Sequence, residues 1–420
     1  MDTIRNITGT VAEGKNFFGR TKEIERAIEL LEDGNNLILA ATRRVGKTSF
    51  ARKLKEEMTK KGWKCFYIDL QKAALPEFIR IAFVFELMIL LAACSKEPDI
   101  PAMTLILENN WGTPAVISLC GTGTVTIDWG DGSESEKKEL STSEFTSISH
   151  AYKKGLYTIK ISGNHITHLN CSNNLLTDLD VSKNTALNYL DCSMNYLKNL
   201  NVSQNIELSE LYFHHNQLTN LDVSKNRALS SLACTSNQLK SLDISRNRIL
   251  TSLICNYNQL TSLDVSANTA LVTLNCTSNK LLRLDVSNNL ALKGLFCEVN
   301  LLTRLDVNKN IILTALFCGS NSLTGLDVSN NTSLISLTCC NNYLTGLDVS
   351  KNIALIELTC YNNNLSIEAL NALFGSLHSI TIMDVEKVVY IANNPGTDEC
   401  DKNIAIANGW KVDFYPPRWY

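Results

Sequence analysis

Residues 250–270 read LTSLICNYNQLTSLDVSANTA, and this 21-residue unit decides the fold because the chain repeats it. Its second half, Leu263-Asp-Val-Ser, returns as Leu179-Asp-Val-Ser, Leu200-Asn-Val-Ser, Leu221-Asp-Val-Ser and Leu242-Asp-Ile-Ser. It continues at Leu284, Leu305, Leu326 and Leu347, always 21 residues on. Its first half places Leu250, Leu253, Cys255, Asn258 and Leu260 in a fixed spacing. Cysteines keep the step at Cys171, Cys192, Cys234, Cys255, Cys276, Cys297, Cys318, Cys339 and Cys360, with Phe213 in the single gap, and asparagines keep it from Asn174 to Asn363. A fixed period of this length is the signature of a solenoid.

The alternation Leu253-x-Cys255 turns two apolar groups inward and the residue between them outward, as in a short strand. Parallel stacking of such strands about 4.8 Å apart buries a column that one repeat cannot bury alone, and ten rungs make a rod about 45–50 Å long. A buried Asn amide in each turn is expected to satisfy backbone groups of its own and the next rung. On these residues, positions 164–365 resemble the leucine-rich-repeat family. The Leu-Asp-Val-Ser-x-Asn half resembles the short leucine-rich repeats of surface proteins of Bacteroides-type bacteria.

The cysteine column invites a redox or metal reading, which core packing outweighs. Parallel side-chain vectors one strand apart make poor disulfide geometry, free Cys packs as a small buried hydrophobe, and no His or Cys-x-x-Cys pair is interleaved. The Asp column (Asp180, Asp222, Asp243, Asp264, Asp285, Asp306, Asp327, Asp348) reads as turn formation rather than a calcium ladder. Most of its members precede a Ser-x-Asn turn, no Gly-Gly-x-Gly-x-Asp nonapeptide accompanies them, and Lys183, Lys225, Arg246, Lys309 and Lys351 relieve the crowding of charge.

The outward position before each Cys varies: Asp191, Tyr212, Ala233, Ile254, Asn275, Phe296, Phe317, Thr338, Thr359. A second outward column holds His214, Asn256, Glu298 and Tyr361. Tyr212, Ile254, Phe296 and Phe317 form an apolar stripe expected to stand exposed on a concave face. With His214 and Tyr361 they are the candidate surface for a protein or glycan ligand; the competing reading is that another segment covers them.

Residues 103–163 read as all-β, with Val125–Trp129, an Asp131-Gly132 hairpin signal and Tyr157–Ile161. The set Trp129-Gly130-Asp131-Gly132, His150-Ala-Tyr152 and Gly155-x-Tyr157 resembles the PKD-type immunoglobulin-like sandwich. At that length it is a short member, and it is expected to cap the open end of the solenoid. Residues 366–420, opening with the helical period Ile367–Leu373, read as the other cap.

The run 81–93 fits a signal-peptide hydrophobic region. Leu91-Ala92-Ala93-Cys94 resembles a bacterial lipobox, which makes Cys94 the lipidation candidate and a lipid anchor the route to a membrane. A lipobox belongs within about 30 residues of a start; this one lies 94 residues in. Before it, Asn36–Ala40 is an apolar strand, followed by Ala41-Thr-Arg-Arg-Val-Gly46-Lys47-Thr48-Ser49, a helix at 50–60 and a strand at Cys65–Asp69. This is a P-loop with Ala41 in place of its first Gly. Gly46, Lys47, Thr48 and Ser49 are the nucleotide-binding candidates: loop amides for phosphate, Lys47 for the β/γ oxygens and Thr48 for Mg²⁺. Residues 14–78 resemble the start of archaeal-type and STAND-type P-loop ATPases. No Walker-B strand follows, so ATP/Mg²⁺ binding is expected to be residual and hydrolysis lost.

Composition shows the same seam. Of 420 residues, 45% are hydrophobic, too many for disorder and too few for a membrane bundle. The net charge of −3 argues against a nucleic-acid binder, yet residues 1–78 carry 15 Lys+Arg against 11 Asp+Glu while the remainder carries 24 against 31. The chain reads as two genes joined near 78–81, in five parts. Residues 1–78 are a truncated α/β P-loop fragment of two strands and two helices, 79–102 a signal/lipobox linker, 103–163 a small β-sandwich-like domain, 164–365 a leucine-rich-repeat solenoid of 21-residue repeats, and 366–420 a cap. The fold class is mainly β. The leading function is a non-enzymatic cell-surface binding protein, on the outer membrane if processed at Cys94 and cytoplasmic otherwise. The alternative is an ATP-binding STAND-like protein with the repeats as sensor. His214-His215 beside Glu210 is the only local catalytic-type cluster and forms no triad or carboxylate pair.

Overall fold

The computed structural model describes residues 101–381 and 385–415 with their side chains and, before them, the backbone of four strands. These are β1 (Arg5–Asn6), β2 (Leu37–Thr42), β3 (Trp63–Asp69) and β4 (Leu87–Lys96). The chain divides into two compact units, Met1–Ile100 and Pro101–Tyr420.

In the first unit the sheet order is β1-β2-β4-β3. Strand β4 runs antiparallel to both neighbours, with Ala40 opposite Ile89 and Cys65 opposite Cys94. The two strands expected here are present, but the sheet has four. Residues Leu87–Lys96, which include part of the run read as a signal region and Cys94, form an interior strand of this sheet. A β-prone segment rich in apolar residues pairs readily with two apolar strand edges. Gly46, Lys47, Thr48 and Ser49 lie outside the described residues.

The second unit starts with β5 (Ala102–Asn109), β6 (Ala115–Thr122), β7 (Thr124–Asp128), β8 (Glu136–Glu139), β9 (Thr146–His150) and β10 (Gly155–Ser162). The first repeat adds β11 (His165–Asn170) and β12 (Leu176–Asp180). One sheet has the order β12-β5-β10-β7-β8, and β9-β6-β11 opens the other. Repeat strands thus complete both sheets, and one continuous core runs from Met103 to Trp410. The Trp129 motif closes on itself. The Tyr152 hydroxyl donates to the Trp129 carbonyl at 2.7 Å, His150 stacks on the Trp129 ring at 4.7 Å, and Asp131 meets His150 Nε2 at 2.7 Å. Gly130 adopts φ +73°, and a Cβ there would drive into the Thr158 carbonyl.

The rungs follow as β13 (Tyr189–Asp191), β14 (Glu210–Tyr212), β15 (Ser231–Ala233), β16 (Ser252–Ile254), β17 (Thr273–Asn275), β18 (Gly294–Phe296), β19 (Ala315–Phe317), β20 (Ser336–Thr338) and β21 (Glu357–Thr359). Each pairs in parallel with the next, leucine over leucine, as in Leu190↔Leu211 and Leu253↔Leu274. Beyond them come α1 (Ile367–Ser376), β22 (Lys387–Tyr390), α2 (Lys402–Ala407) and β23 (Trp410–Asp413). Strands β22 and β23 extend the parallel ladder past the last repeat. With β11 that makes twelve parallel strands rather than ten. Strand β22 joins with Val389 and Ile391 buried where the repeats have Leu and Cys, and Asn394 takes the turn position, its Nδ2 donating to the Cys360 and Ile391 carbonyls.

Helix α1 is N-capped by Ser366, whose side chain accepts from Ala369 N–H, and it buries Leu370, Leu373 and Phe374. Buried Lys387 donates to the carbonyls of His378, Ile380 and Asn408 at 2.9–3.0 Å, which satisfies its ammonium without a carboxylate.

Two asparagine columns hold the turns. Asn258 Nδ2 donates to the Cys255 carbonyl of its own rung and the Cys234 carbonyl of the rung before, and its Oδ1 accepts from Leu239 N–H at 3.0 Å. The amide therefore serves its own and the preceding rung, not the next. In the second column Asn247 Nδ2 donates to the Val223 and Asn226 carbonyls, while its Oδ1 is buried without a hydrogen-bond partner. The Asp column forms turns: Asp264 Oδ1 accepts from Ser266 N–H at 2.9 Å, and Asp180, Asp222, Asp243, Asp285, Asp327 and Asp348 do the same for the Ser two residues on.

Candidate functional site

The strands position the candidate site. In each three-residue rung the central Leu points into the core, and in all but the last, where Thr359 is buried, both flanking residues stay partly open, a direct result of the two-residue period. The following Cys points back in: all nine column cysteines are wholly buried free thiols, and burial pushes their pKa values up, to about 12 at Cys234, Cys276 and Cys360.

The face they leave carries three columns. Phe296 and Phe317 occupy consecutive rungs with ring centroids 5.1 Å apart, edge to face. They are half-buried rather than bare, because each ring packs on its neighbour and Phe296 also lies over Gly294. Tyr212 is half-buried too; its hydroxyl donates to Glu210 Oε2 at 2.6 Å and lies 3.2 Å from Ser231 Oγ. Half-buried Ile254 stands between them, separated from Tyr212 by Ala233 and from Phe296 by Asn275. The expected stripe is therefore two aromatic patches with an isolated Ile.

His214 belongs to the second outward column. Its Nδ1 meets Ser193 Oγ at 2.7 Å, and burial lowers its pKa. At the other end of this column Tyr361 packs edge-on against Tyr415 at 5.3 Å. Burial lifts the Tyr361 pKa to about 12, and its hydroxyl also bonds the Cys340 thiol.

Two features escaped the reading of the sequence. The Tyr212 patch extends through Tyr189 (5.5 Å) to His168 (5.7 Å) and Phe145, across three elements. Tyr189 holds the first position of its rung, a column that the search for outward residues passed over. The second outward column is interrupted at Gly319. A Cβ there would stand 3.6 Å from Glu298 Oε1 and 3.0 Å from Cys340 Sγ. The signal lay in the sequence as Glu298, Gly319, Cys340 and Tyr361 at the common step, a run of unlike residues in a column otherwise mostly Ser, Thr and Asn.

Among the described residues no group of three or more His, Cys, Asp and Glu is placed to hold a metal ion, and no helix is long and apolar enough to cross a membrane.

A parallel ladder of three-residue strands at a 21-residue step, with Leu and Cys inside and Asn in the turns, defines a leucine-rich-repeat solenoid. No protein-family model matches the chain, and no curated protein is similar to it. Solved structures are. The functional domain of InlJ from Listeria monocytogenes, which includes a cysteine ladder, is 35% identical over 59% of this chain and 58% of its own, with a TM-score of 0.47. A leucine-rich-repeat protein of Leptospira interrogans is 26% identical over 54% and 60%, with a TM-score of 0.47. An internalin (InlF) of L. monocytogenes is 20% identical over 54% and 74%, with a TM-score of 0.44. The chain thus spans less than two thirds of the first two structures.

Proposed function

We propose that this protein is a non-enzymatic binding protein of the cell surface that holds a protein or glycan partner on the strand face of its solenoid. One observation carries the reading. The inward columns repeat nearly unchanged, whereas the outward columns vary and collect the Phe296–Phe317 pair and the Phe145–His168–Tyr189–Tyr212 run. Core packing asks nothing of these side chains, and partly open aromatic groups are favoured anchors for a partner because rigid rings lose little entropy on docking. The PKD-like sheets are the cap of the rod, and lipidation at Cys94 is the route to the membrane in chains processed there.

The test is the double substitution Phe296→Ala/Phe317→Ala, with the labelled protein applied to whole cells and to an extracellular-matrix extract. Binding is expected to fall at least tenfold while the melting temperature changes by no more than a few degrees, since the rings support mainly each other. Undiminished binding, or collapse of the fold, refutes the assignment.

The P-loop motif after β2 favours a second reading, a nucleotide-binding protein with the repeats as sensor. Without a Walker-B acid, Lys47 and Thr48 are expected to support residual ATP/Mg²⁺ binding at most. Hydrolysis by the full chain that disappears in Lys47→Ala decides for this second reading.

A further inference from the structure

The interruption at Gly319 has a chemistry of its own. Glu298 is half-buried and Gly319 is buried beneath it: a Cβ on Gly319 would stand 3.6 Å from Glu298 Oε1 and 3.0 Å from the sulfur of buried Cys340, so these two side chains lie over the glycine. Phe296 precedes Glu298 by two residues on its own rung and Phe317 precedes Gly319 by two on the next, so the edge-to-face ring pair lies beside Glu298 on the same face. Among the described residues no hydrogen bond or ion pair engages the Glu298 carboxylate, although burial withdraws it from water and raises its pKa.

The charge of the whole face points the same way. From rung 189 to rung 361 the three partly open columns carry Asp191, Glu210, Glu298 and Glu357 and neither Lys nor Arg. The chain's cations belong to other columns, such as the turn positions Lys183, Lys225 and Arg246.

We propose that the Glu298 carboxylate above Gly319, with Phe296 and Phe317 beside it as a wall, seats a Lys or Arg side chain of a protein partner. The carboxylate supplies the charge-assisted hydrogen bond and the rings supply an apolar and cation–π wall for the cationic stem and head. Gly319 is what holds the carboxylate in this place: it lets the Glu298 and Cys340 side chains lie over the rung, and any side chain there would press on the Cys340 sulfur and stand against Glu298. This inference rests on the reading of the strand face as a binding surface and specifies the kind of partner it takes.

The experiment is selection of a displayed random dodecapeptide library on the full chain, followed by titration of the enriched peptides against wild type, Glu298→Gln, Gly319→Val and Phe296→Ala/Phe317→Ala. Enriched peptides are expected to share a Lys or Arg beside an apolar residue. Their affinity should fall ten- to a hundredfold in Glu298→Gln, an isosteric change that leaves the fold intact, and comparably in Gly319→Val. Replacing the shared cation by norleucine should lower wild-type affinity equally and leave the Glu298→Gln affinity unchanged. Peptides that need the Phe pair but neither a cation nor Glu298 overturn the seat while sparing the binding face. Peptides indifferent to all three variants, no enrichment at all, or a glycan bound in place of peptides with Glu298→Gln indifferent to it, overturn the seat as well; the first of these also removes the binding face.

Discussion

Replacement of one asparagine from each turn column, Asn258→Ala and Asn247→Ala, should separate two kinds of buried amide that look alike in sequence. Both substitutions remove the same atoms from buried sites, so the cavity contribution largely cancels in their comparison. The hydrogen bonds do not cancel. Asn258 Oδ1 is the acceptor for Leu239 N–H, and its loss leaves that buried donor without a partner. The carbonyls lose less: Cys234 O keeps Asn237 Nδ2 and Cys255 O keeps Asn279 Nδ2, because each cysteine carbonyl lies between two amides one rung apart. One orphaned N–H at about 1–3 kcal/mol plus two weakened carbonyls gives a cost of about 2–4 kcal/mol. For Asn247 nothing is orphaned, since Val223 O keeps Asn226 N–H and Asn226 O keeps Leu229 N–H. The bare Oδ1 of Asn247 disappears as well. Its loss should cost about 1–2 kcal/mol, most of it cavity. Urea melts of the full chain measure the difference, and amide hydrogen exchange locates it: Leu239 should lose protection in Asn258→Ala and keep it in Asn247→Ala. Equal costs, or a Leu239 amide still protected in Asn258→Ala, refute the division of labour between the columns.

Three further outcomes are expected. Val299 occupies the left-handed region at φ +51°, where a β-branched residue is strained and Asn is tolerated, so Val299→Asn should stabilise the chain by about 0.5–1 kcal/mol in urea melts. Cys255→Ala should cost roughly 1–2 kcal/mol as a small cavity, and alkylating reagents should reach the ladder thiols only after unfolding; rapid labelling of the native chain contradicts their burial. The Asp180, Asp222 and Asp264 carboxyls are held below their ordinary pKa by the hydroxyl and amide of the Ser two residues on. A depressed folded pKa contributes stability that is complete above the unfolded value near ~4 and is lost as pH falls through the folded value, so urea midpoints should drop below about pH 4 and Asp264→Asn should flatten that drop.

The sequence made the ladder legible because a solenoid core is a column property. When Leu, Cys and Asn each return at one step, register, burial and turn follow together, and Leu253, Cys255 and Asn258 lie where the pattern puts them. What lay hidden has a different origin. Strand β22 keeps the pattern in altered residues and spacing: Val389 pairs with Leu358, and Asn394, 31 residues after Asn363, accepts from the Asn363 N–H and donates to the Cys360 carbonyl. The split of the aromatic stripe into patches depends on which neighbours touch, and Phe145 comes from the segment before β9, far from the repeats that it packs on. The β4 strand is hidden for a further reason, since pairing between β2 and β3 is a property of backbone edges that hydropathy does not specify.

The same division between columns explains where function can reside on such a rod. Stacking is secured chiefly by leucines, thiols and asparagines whose partners are other rungs, so a change at an outward strand position leaves those bonds in place. Outward residues are therefore freer to drift, and polar residues of modest size suffice for a face that meets water, as Thr235 and Asn256 show, which hydrogen-bond each other across rungs at 2.6 Å. A run that breaks with this background, a half-buried carboxylate followed by a glycine and a buried thiol beside paired phenylalanines, costs the fold solvation and helps no stacking interaction. A side chain that the scaffold neither needs nor neutralises finds its counterpart in a partner, and the missing counterpart of Glu298 is a cation.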